Sequence, residues 1–390
     1  MNAIERTLDE LAKTSADTLY DRALALRQGD GVRVNFRAAH RFFLLASLMG
    51  RPAARYQLAQ MHLRGEDRPK DKLRAAMWMH LAMGRDDPRA ARSLRQIIDE
   101  MSRAEQKQVF RQAEEFVKAE QEFRLALKGD DPAAMVAIGE RLATGRGVDQ
   151  DPEMASEWYR RALAFRYPPA QTRLGLAYLS GEGIERHLEE GQRLLRLAAA
   201  QNDANAQYHL GESLRQQLSG RAEGVKLLEQ AAAQGHSLAQ FCLGKLYKEG
   251  EVLPAGAVGA RREIAPHLVR AREYFEQAAA QGMVDAQFEL GQMHAQGQGT
   301  RQDFEQAARY YLDAANQGHA KAQFNLGFLY AHGQGVEQDD ARAYQWYRIS
   351  ERSGYALAAQ SAALAQKKLN DDDKEMADWR VDGFLSGHVD

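Results

Sequence analysis

The chain has 390 residues, 44% of them hydrophobic, 27% charged and 8% aromatic, which suits one extended repeat domain or two or three globular ones. A formal net charge of −2 leaves no global field directed at nucleic acid or an anionic membrane. Cys242 is the only cysteine, so an intrachain disulfide is excluded and a reducing compartment is expected.

The N-terminal MNAIERTLDELAKTSADTLYDRA carries a charge every few residues and has neither an apolar core nor a small-residue cleavage site, unlike a signal peptide. The most apolar run, Phe42 to Met49, is too short to span a bilayer, so a cytoplasmic setting is the expectation. Gly29-Asp-Gly31-Val32 then leads to Ala39, Phe42, Ala46 and Gly50, a helical spacing. The register places Arg22 where a buried leucine belongs, so this first unit reads as a distorted cap. Ala54-Arg-Tyr-Gln-Leu58-Ala59 leads in the same way to Gly65, Asp71, Ala75, Trp78 and Ala82. Residues 31–80 hold ten Lys/Arg against Glu66, Asp67 and Asp71, a local charge of +7. Arg33, Arg37, Arg41, Arg51, Arg55, Arg64 and Arg68 either bind RNA or another anionic ligand or simply solvate helices. MSRAEQKQVFRQAEEFVKAEQEF (101–123) reads as one longer amphipathic helix that breaks or bends the array.

From residue 134 a phrase recurs: AMVAIGERLATGRGVDQD, AQTRLGLAYLSGEGIERH, AQYHLGESL, AQFCLGKLYKEG, AQFELGQMHAQGQGTRQD and AQFNLGFLYAHGQGVEQD. Its core apolar residue falls at Ile138, Leu174, Leu210, Leu243, Leu290 and Leu326, at intervals of 36, 36, 33, 47 and 36 residues. In the last copy, Ala322, Leu326 and Tyr330 form one helical stripe, and Gly327 leaves room for a partner helix. Gly333 and Gly335 permit a tight turn, and Asp339 can cap a second helix whose facing stripe is Ala343, Trp346, Tyr347 and Ser350. Neither helix can bury its stripe alone, so the units are expected to stack.

These residues resemble the Sel-1-like repeat (SLR) family, relatives of tetratricopeptide repeats. The family pattern is Ala-x-x-x-Leu-Gly-x-x-Tyr, a Gly-x-Gly turn, an Asp, Ala-x-x-Trp and a closing Ala-Ala. The resemblance covers roughly residues 17–365 in eight units. Departures are the 101–123 helix, the shortened fifth turn (216–223) and the enlarged sixth. It implies an all-α, right-handed superhelical α/α solenoid that assembles proteins, often bacterial ones in signalling, secretion, envelope or virulence roles, and no enzyme. The expected division is a cap and two divergent units over 1–100, a connecting helix region over 101–130, six units over 131–355, and a capping helix with acidic tail over 356–390.

The Gly-x-Gly pairs follow no strand and lack dinucleotide or P-loop spacing, so they read as turns. No His-Glu-x-x-His motif, Cys/His cluster, nucleophile elbow or calcium loop occurs, so neither a metal nor a catalytic set is expected. His294 replaces the repeat tyrosine and should pack, while His332 lies near a helix end on the open face. Two residues before the core leucine the chain is repeatedly aromatic: Tyr56, Tyr208, Phe241, Phe288 and Phe324, with Phe328 one turn on. These rings either line a concave face for a partner segment or pack between units. Lys245, Lys248, Gln292, Lys321 and His332 are the polar candidates beside them. The enlarged turn, 250–271, adds eleven residues with Leu253, Val258, Arg261 and Arg262 as candidate contacts, or is a neutral excursion. The functional expectation is a non-enzymatic scaffold or adaptor for a protein partner, without cofactor. The alternative is an immunity or inhibitor protein that blocks a toxic effector enzyme with the same face.

Overall fold

The computed structural model describes residues 14–83, 88–217, 220–250 and 268–386; the insertion residues Leu253, Val258, Arg261 and Arg262 lie outside them. The described residues are helical, without a strand, and form an α/α solenoid of two-helix repeats. The chain divides into two compact units, Met1–Ala206 and Gln207–Asp390.

The N-terminal unit contains four repeats: α1 (Ala16–Gln28) with α2 (Phe36–Leu48), α3 (Pro52–Arg64) with α4 (Lys72–Ala82), α7 (Pro132–Thr144) with α8 (Pro152–Leu163), and α9 (Pro168–Ser180) with α10 (Leu188–Ala200). Between the second and third stand α5 (Pro88–Ile98) and the 25-residue α6 (Arg103–Leu127). Ser102 and Glu105 start α6 with a reciprocal capping box. Its stripe of Val109, Ala113, Phe116, Ala119, Phe123 and Ala126 is buried, with Phe116 edge-on to Trp78 and Phe123 edge-on to Trp158. The long helix therefore joins the repeats on either side through its own core stripe. Arg22 is exposed, its guanidinium 4.7 Å from the Phe42 ring centroid, while Leu19 and Ala23 take the buried positions of α1. The distorted register at Arg22 is thus a one-residue shift of the buried face.

The C-terminal unit runs through α11 (Ala204–Arg215), α12 (Arg221–Ala233), α13 (Ser237–Lys248), α14 (Leu268–Ala280), α15 (Val284–Gln296), α16 (Phe304–Asn316), α17 (Ala320–His332) and α18 (Asp340–Arg352). It closes with α19 (Ala358–Gln366) and α20 (Asp371–Ser386), α20 being tied down by Tyr344 Oη donating to Asp378 and by an Arg352–Asp382 pair.

The α17–α18 pair shows how the repeat is held. Ala322, Leu326 and Leu329 are buried on α17, and Ala343, Trp346, Tyr347 and Ser350 on α18. A Cβ on Gly327 would lie 2.9 Å from Tyr347 Cδ1, so only glycine allows this approach of the two helices. Gly333 closes α17 at φ +63° and Gly335 turns at φ +68°, its α-carbon seated against the Phe304 backbone at the start of α16. The Asp339 carboxylate accepts the Arg342 N–H at 2.8 Å, capping α18. Ser350 Oγ donates to the Ala320 carbonyl at 2.7 Å, which explains a hydroxyl where other units carry alanine.

A second device recurs beside the apolar stripes. The glutamine that follows the first alanine of each phrase is buried at Gln171, Gln207, Gln240 and Gln287. Each accepts a side-chain N–H from a glutamine at the end of its own second helix, respectively Gln201, Gln234, Gln281 and Gln317. A buried amide so paired avoids the cost of an unmade hydrogen bond.

Candidate binding surfaces

In the C-terminal unit the predicted aromatic ladder is half-buried. Tyr208 stacks on His236 at 4.8 Å, and Phe288 on His319 at 4.3 Å. Both histidines are N-caps of the next first helix, accepting through Nδ1 from Ala239 and Ala322. Phe324 sits 5.3 Å from Tyr347 and 5.2 Å from Tyr355, and Phe241 sits 5.7 Å from Phe275. Tyr208 and Phe288 tie one repeat to the next, and Phe241 and Phe324 pack on the second helix of their own repeat; all four are half-buried. Phe328 differs: it is 41% exposed, with the His332 ring 4.1 Å away. His294 stacks on Tyr310, as expected of a packed replacement for the repeat tyrosine.

The polar candidates separate in the same way. Lys248 is held 2.6 Å from Glu289, while Lys245 and Lys321 are exposed and Gln292 is half-buried. His332 is exposed, its Nδ1 2.9 Å from the Phe328 carbonyl. Phe328, Lys321 and His332 therefore form an open face on α17, while Lys245 is open on α13.

Cys242, beside Phe241 in the chain, is half-buried. Burial first, then Glu212 with its Oε1 2.9 Å from Sγ, push the thiol up to about 12. Alkylation by iodoacetamide at pH 8 is expected to run at least about ten-fold slower on the native chain than on the urea-unfolded one, because thiolate is the reacting form. Equal rates would contradict this environment.

In the N-terminal unit the same helical register forms a groove that sequence reasoning missed. Two residues past the core positions Ile138 and Leu174 stand Glu140 and Leu176, the places that Phe328 and Gln292 hold in later repeats. With Leu179 and Tyr159 they line a groove of 940 Å³ between α7, α8 and α9. Apolar side chains and charges of both signs line it together: Glu140 pairs with Arg173 at 2.6 Å, and Arg141 forks onto Glu122. Burial, with Glu140 adding, pushes the Tyr159 phenol up, so it stays neutral. Ser156 also lines the groove, and its Oγ, fully buried, has no hydrogen-bond partner. The available signal was positional: Glu140 and Leu176 occupy the register used to select Phe328.

The arginines of residues 31–80 are largely engaged within the unit. Arg41 forks onto Asp151 and reaches Glu153, and Arg37 also pairs with Glu153. Arg51 meets Asp17, Arg55 meets Glu120, Arg64 meets Glu66 and Arg68 meets Asp67; Arg33 is exposed. Acids from beyond this stretch, on α6 and at the start of α8, answer charge that looked unopposed in the sequence. These pairings oppose part of the local positive charge that anion binding would draw on.

Histidines 40 and 62, undistinguished in the sequence, converge with Asp149 in the turn after α7. His40 Nε2 and His62 Nε2 each lie 2.9 Å from Asp149 Oδ2, and Trp78 Nε1–H donates to the same oxygen at 3.0 Å. His40, His62, Trp78 and Asp149 are all buried. Burial would raise the Asp149 carboxyl, but His62 and His40 outweigh it and hold it well below the usual carboxylate range. Burial in turn lowers His40 despite Asp149. Three repeats meet here: His40 is on α2 of the first, His62 and Trp78 are on α3 and α4 of the second, and Asp149 lies between α7 and α8 of the third. No helix among the described residues is long and apolar enough to cross a membrane.

The Sel1 repeat model matches residues 16–50, 52–83, 132–164, 168–203, 204–236, 268–283, 284–319 and 320–355, more than half of the chain. Among solved structures, a Sel1 repeat protein from Oxalobacter formigenes is 29% identical with a TM-score of 0.51, over 60% of this chain and 99% of that one. A protective antigen of uropathogenic Escherichia coli strains, displaying an SLR fold, is 23% identical with a TM-score of 0.42, over 99% and 95%. An immunity protein from Pseudomonas aeruginosa is 20% identical with a TM-score of 0.38, over 60% and 83%. No curated protein matches the chain in sequence. Proteins of this repeat type generally mediate protein–protein interaction and are typically non-enzymatic scaffolds. The chain belongs to the Sel1 repeat family.

Proposed function

We propose that this protein is a non-enzymatic adaptor that binds a protein partner on the open faces of its first helices. The observation that carries this reading is one of register. The position two residues past the core leucine reaches solvent in both units, as the 41% exposed Phe328 on α17 and as the half-buried Glu140 and Leu176 that line the groove between α7, α8 and α9. A groove lined by apolar side chains and by charges of both signs suits a peptide segment that brings an anchoring side chain and its own polar flanks. Phe241, Phe288 and Phe324 would contribute edges to such a contact while chiefly packing within and between repeats. Its single thiol is what supports a cytoplasmic setting.

Affinity purification from the native host with mass spectrometry names the partner, and two surface variants then test the face. Phe328→Ala with Lys321→Ala, and separately Leu176→Glu, should each weaken capture at least about ten-fold, the size of an interface hot spot, with far-UV circular dichroism unchanged. Full capture by both variants would reject the reading. Phe288→Ala and Phe324→Ala are poorer tests, because each removes a contact between repeats as well as a ring edge.

A further inference from the structure

The Asp149 cluster carries more than a packing role explains. We propose that His40, His62 and Asp149 form a zinc site that clamps the first three repeats of the N-terminal unit. Three N–H groups crowd onto Oδ2, at 2.9, 2.9 and 3.0 Å, although a carboxylate oxygen offers two lone pairs. The other oxygen, Oδ1, is buried with no hydrogen bond at all, and the Arg74 Nε lies 3.8 Å from it. A ring of donors at one oxygen and none at its neighbour is a poor way to satisfy a buried carboxylate. A cation between the two imidazole nitrogens and Oδ2 removes two of those three demands. It leaves Trp78 as the outer-shell donor that orients the carboxylate.

The donor atoms suit that ion. They lie within 4.8 Å of one another, two imidazole Nε2 and one carboxylate oxygen, a set that zinc accepts with a fourth position for water. The 2.9 Å nitrogen–oxygen spacings approach the edge of about 3.3 Å expected of a tetrahedron with zinc-length bonds. Each donor is carried by a different element whose backbone is fixed by its own packing: α2, α3, and the Gly145–Gly147 turn.

The repeat pattern does not account for the cluster. The residue four past the first glycine of the turn is Glu185, Arg301 and Glu337 in other repeats, all exposed, whereas Asp149 is 1% exposed. A purely structural knot would more cheaply be apolar, since buried charged networks gain little over well-packed hydrophobic ones.

The test uses the full chain stripped with a chelator and titrated with Co²⁺, then Zn²⁺. One equivalent should bind with the visible absorption of a tetrahedral nitrogen–oxygen site, be displaced by Zn²⁺, and raise the thermal midpoint. His62→Gln and Asp149→Asn should abolish the one-to-one absorption. Trp78→Phe should weaken Co²⁺ binding by about 10- to 100-fold, the usual effect of losing an outer-shell partner. If the stripped wild-type chain takes up no stoichiometric metal and its midpoint ignores both chelator and Zn²⁺, the cluster is a hydrogen-bonded knot and the proposal fails. That outcome is read on the wild-type chain and needs no variant to fold. Binding that persists undiminished in a folded His62→Gln chain overturns it equally.

Discussion

Alanine at Gly335 is expected to destabilise the C-terminal unit by about 4 kcal/mol or more, the range reserved for a few severe mechanisms. Two costs combine there. The backbone sits at φ +68°, where an L-residue pays roughly 1–2 kcal/mol. In addition, the new Cβ would overlap the carbonyl carbon and oxygen of Phe304 and the N–H nitrogen of Glu305, which are backbone and cannot rotate away. Gly318→Ala isolates the first cost: its φ is +88° and nothing lies within 4 Å of the added carbon, so a loss of about 1–2 kcal/mol is expected. Urea unfolding of the full chain, followed by far-UV circular dichroism, compares the two. Equal losses would mean that the turn is not seated on the start of α16.

A comparable effect is expected in the N-terminal unit at Trp158, which is fully buried against Phe123. Trp158→Ala should cost about 3–5 kcal/mol through the cavity it leaves. Trp158→Phe should cost far less. The Trp158 indole N–H is buried with no hydrogen-bond partner, so removing it recovers about 1–3 kcal/mol of desolvation against the lost volume. Trp78→Phe is the contrasting case, because its N–H donates to the Asp149 carboxylate at 3.0 Å. Losing that bond to a charged group should cost about 1.5–3 kcal/mol. The expected order of destabilisation is Trp158→Ala, then Trp78→Phe, then Trp158→Phe. A Trp158→Phe loss as large as that of Trp78→Phe would refute the orphaned donor at Trp158.

The repeat, its caps and its turns were legible because each is written within about forty residues of chain. Leu326 and Gly327 mark a helix face, Gly333 its left-handed end, and Asp339 the start of the next helix; the structure places all of them in those roles. The open register was half legible. The rule that selected Phe328 also selects Glu140 and Leu176, but a ring attracts attention and a glutamate in a charged helix does not. The basic stretch was legible only as a run of arginines, which says nothing of Asp151, Glu153 and Glu120, the partners that arrive from later elements.

Local order along the chain thus specifies the unit and its stacking, since hydrophobic period, glycine placement and capping all act over one or two helical turns. Which charges remain free, which grooves stay open and which polar side chains meet depend on elements far apart in sequence. His40, His62, Trp78 and Asp149 share no motif or spacing. They meet because α6 and the turn after α7 pack back on the first two repeats, burying a carboxylate that its counterparts in other repeats leave in water.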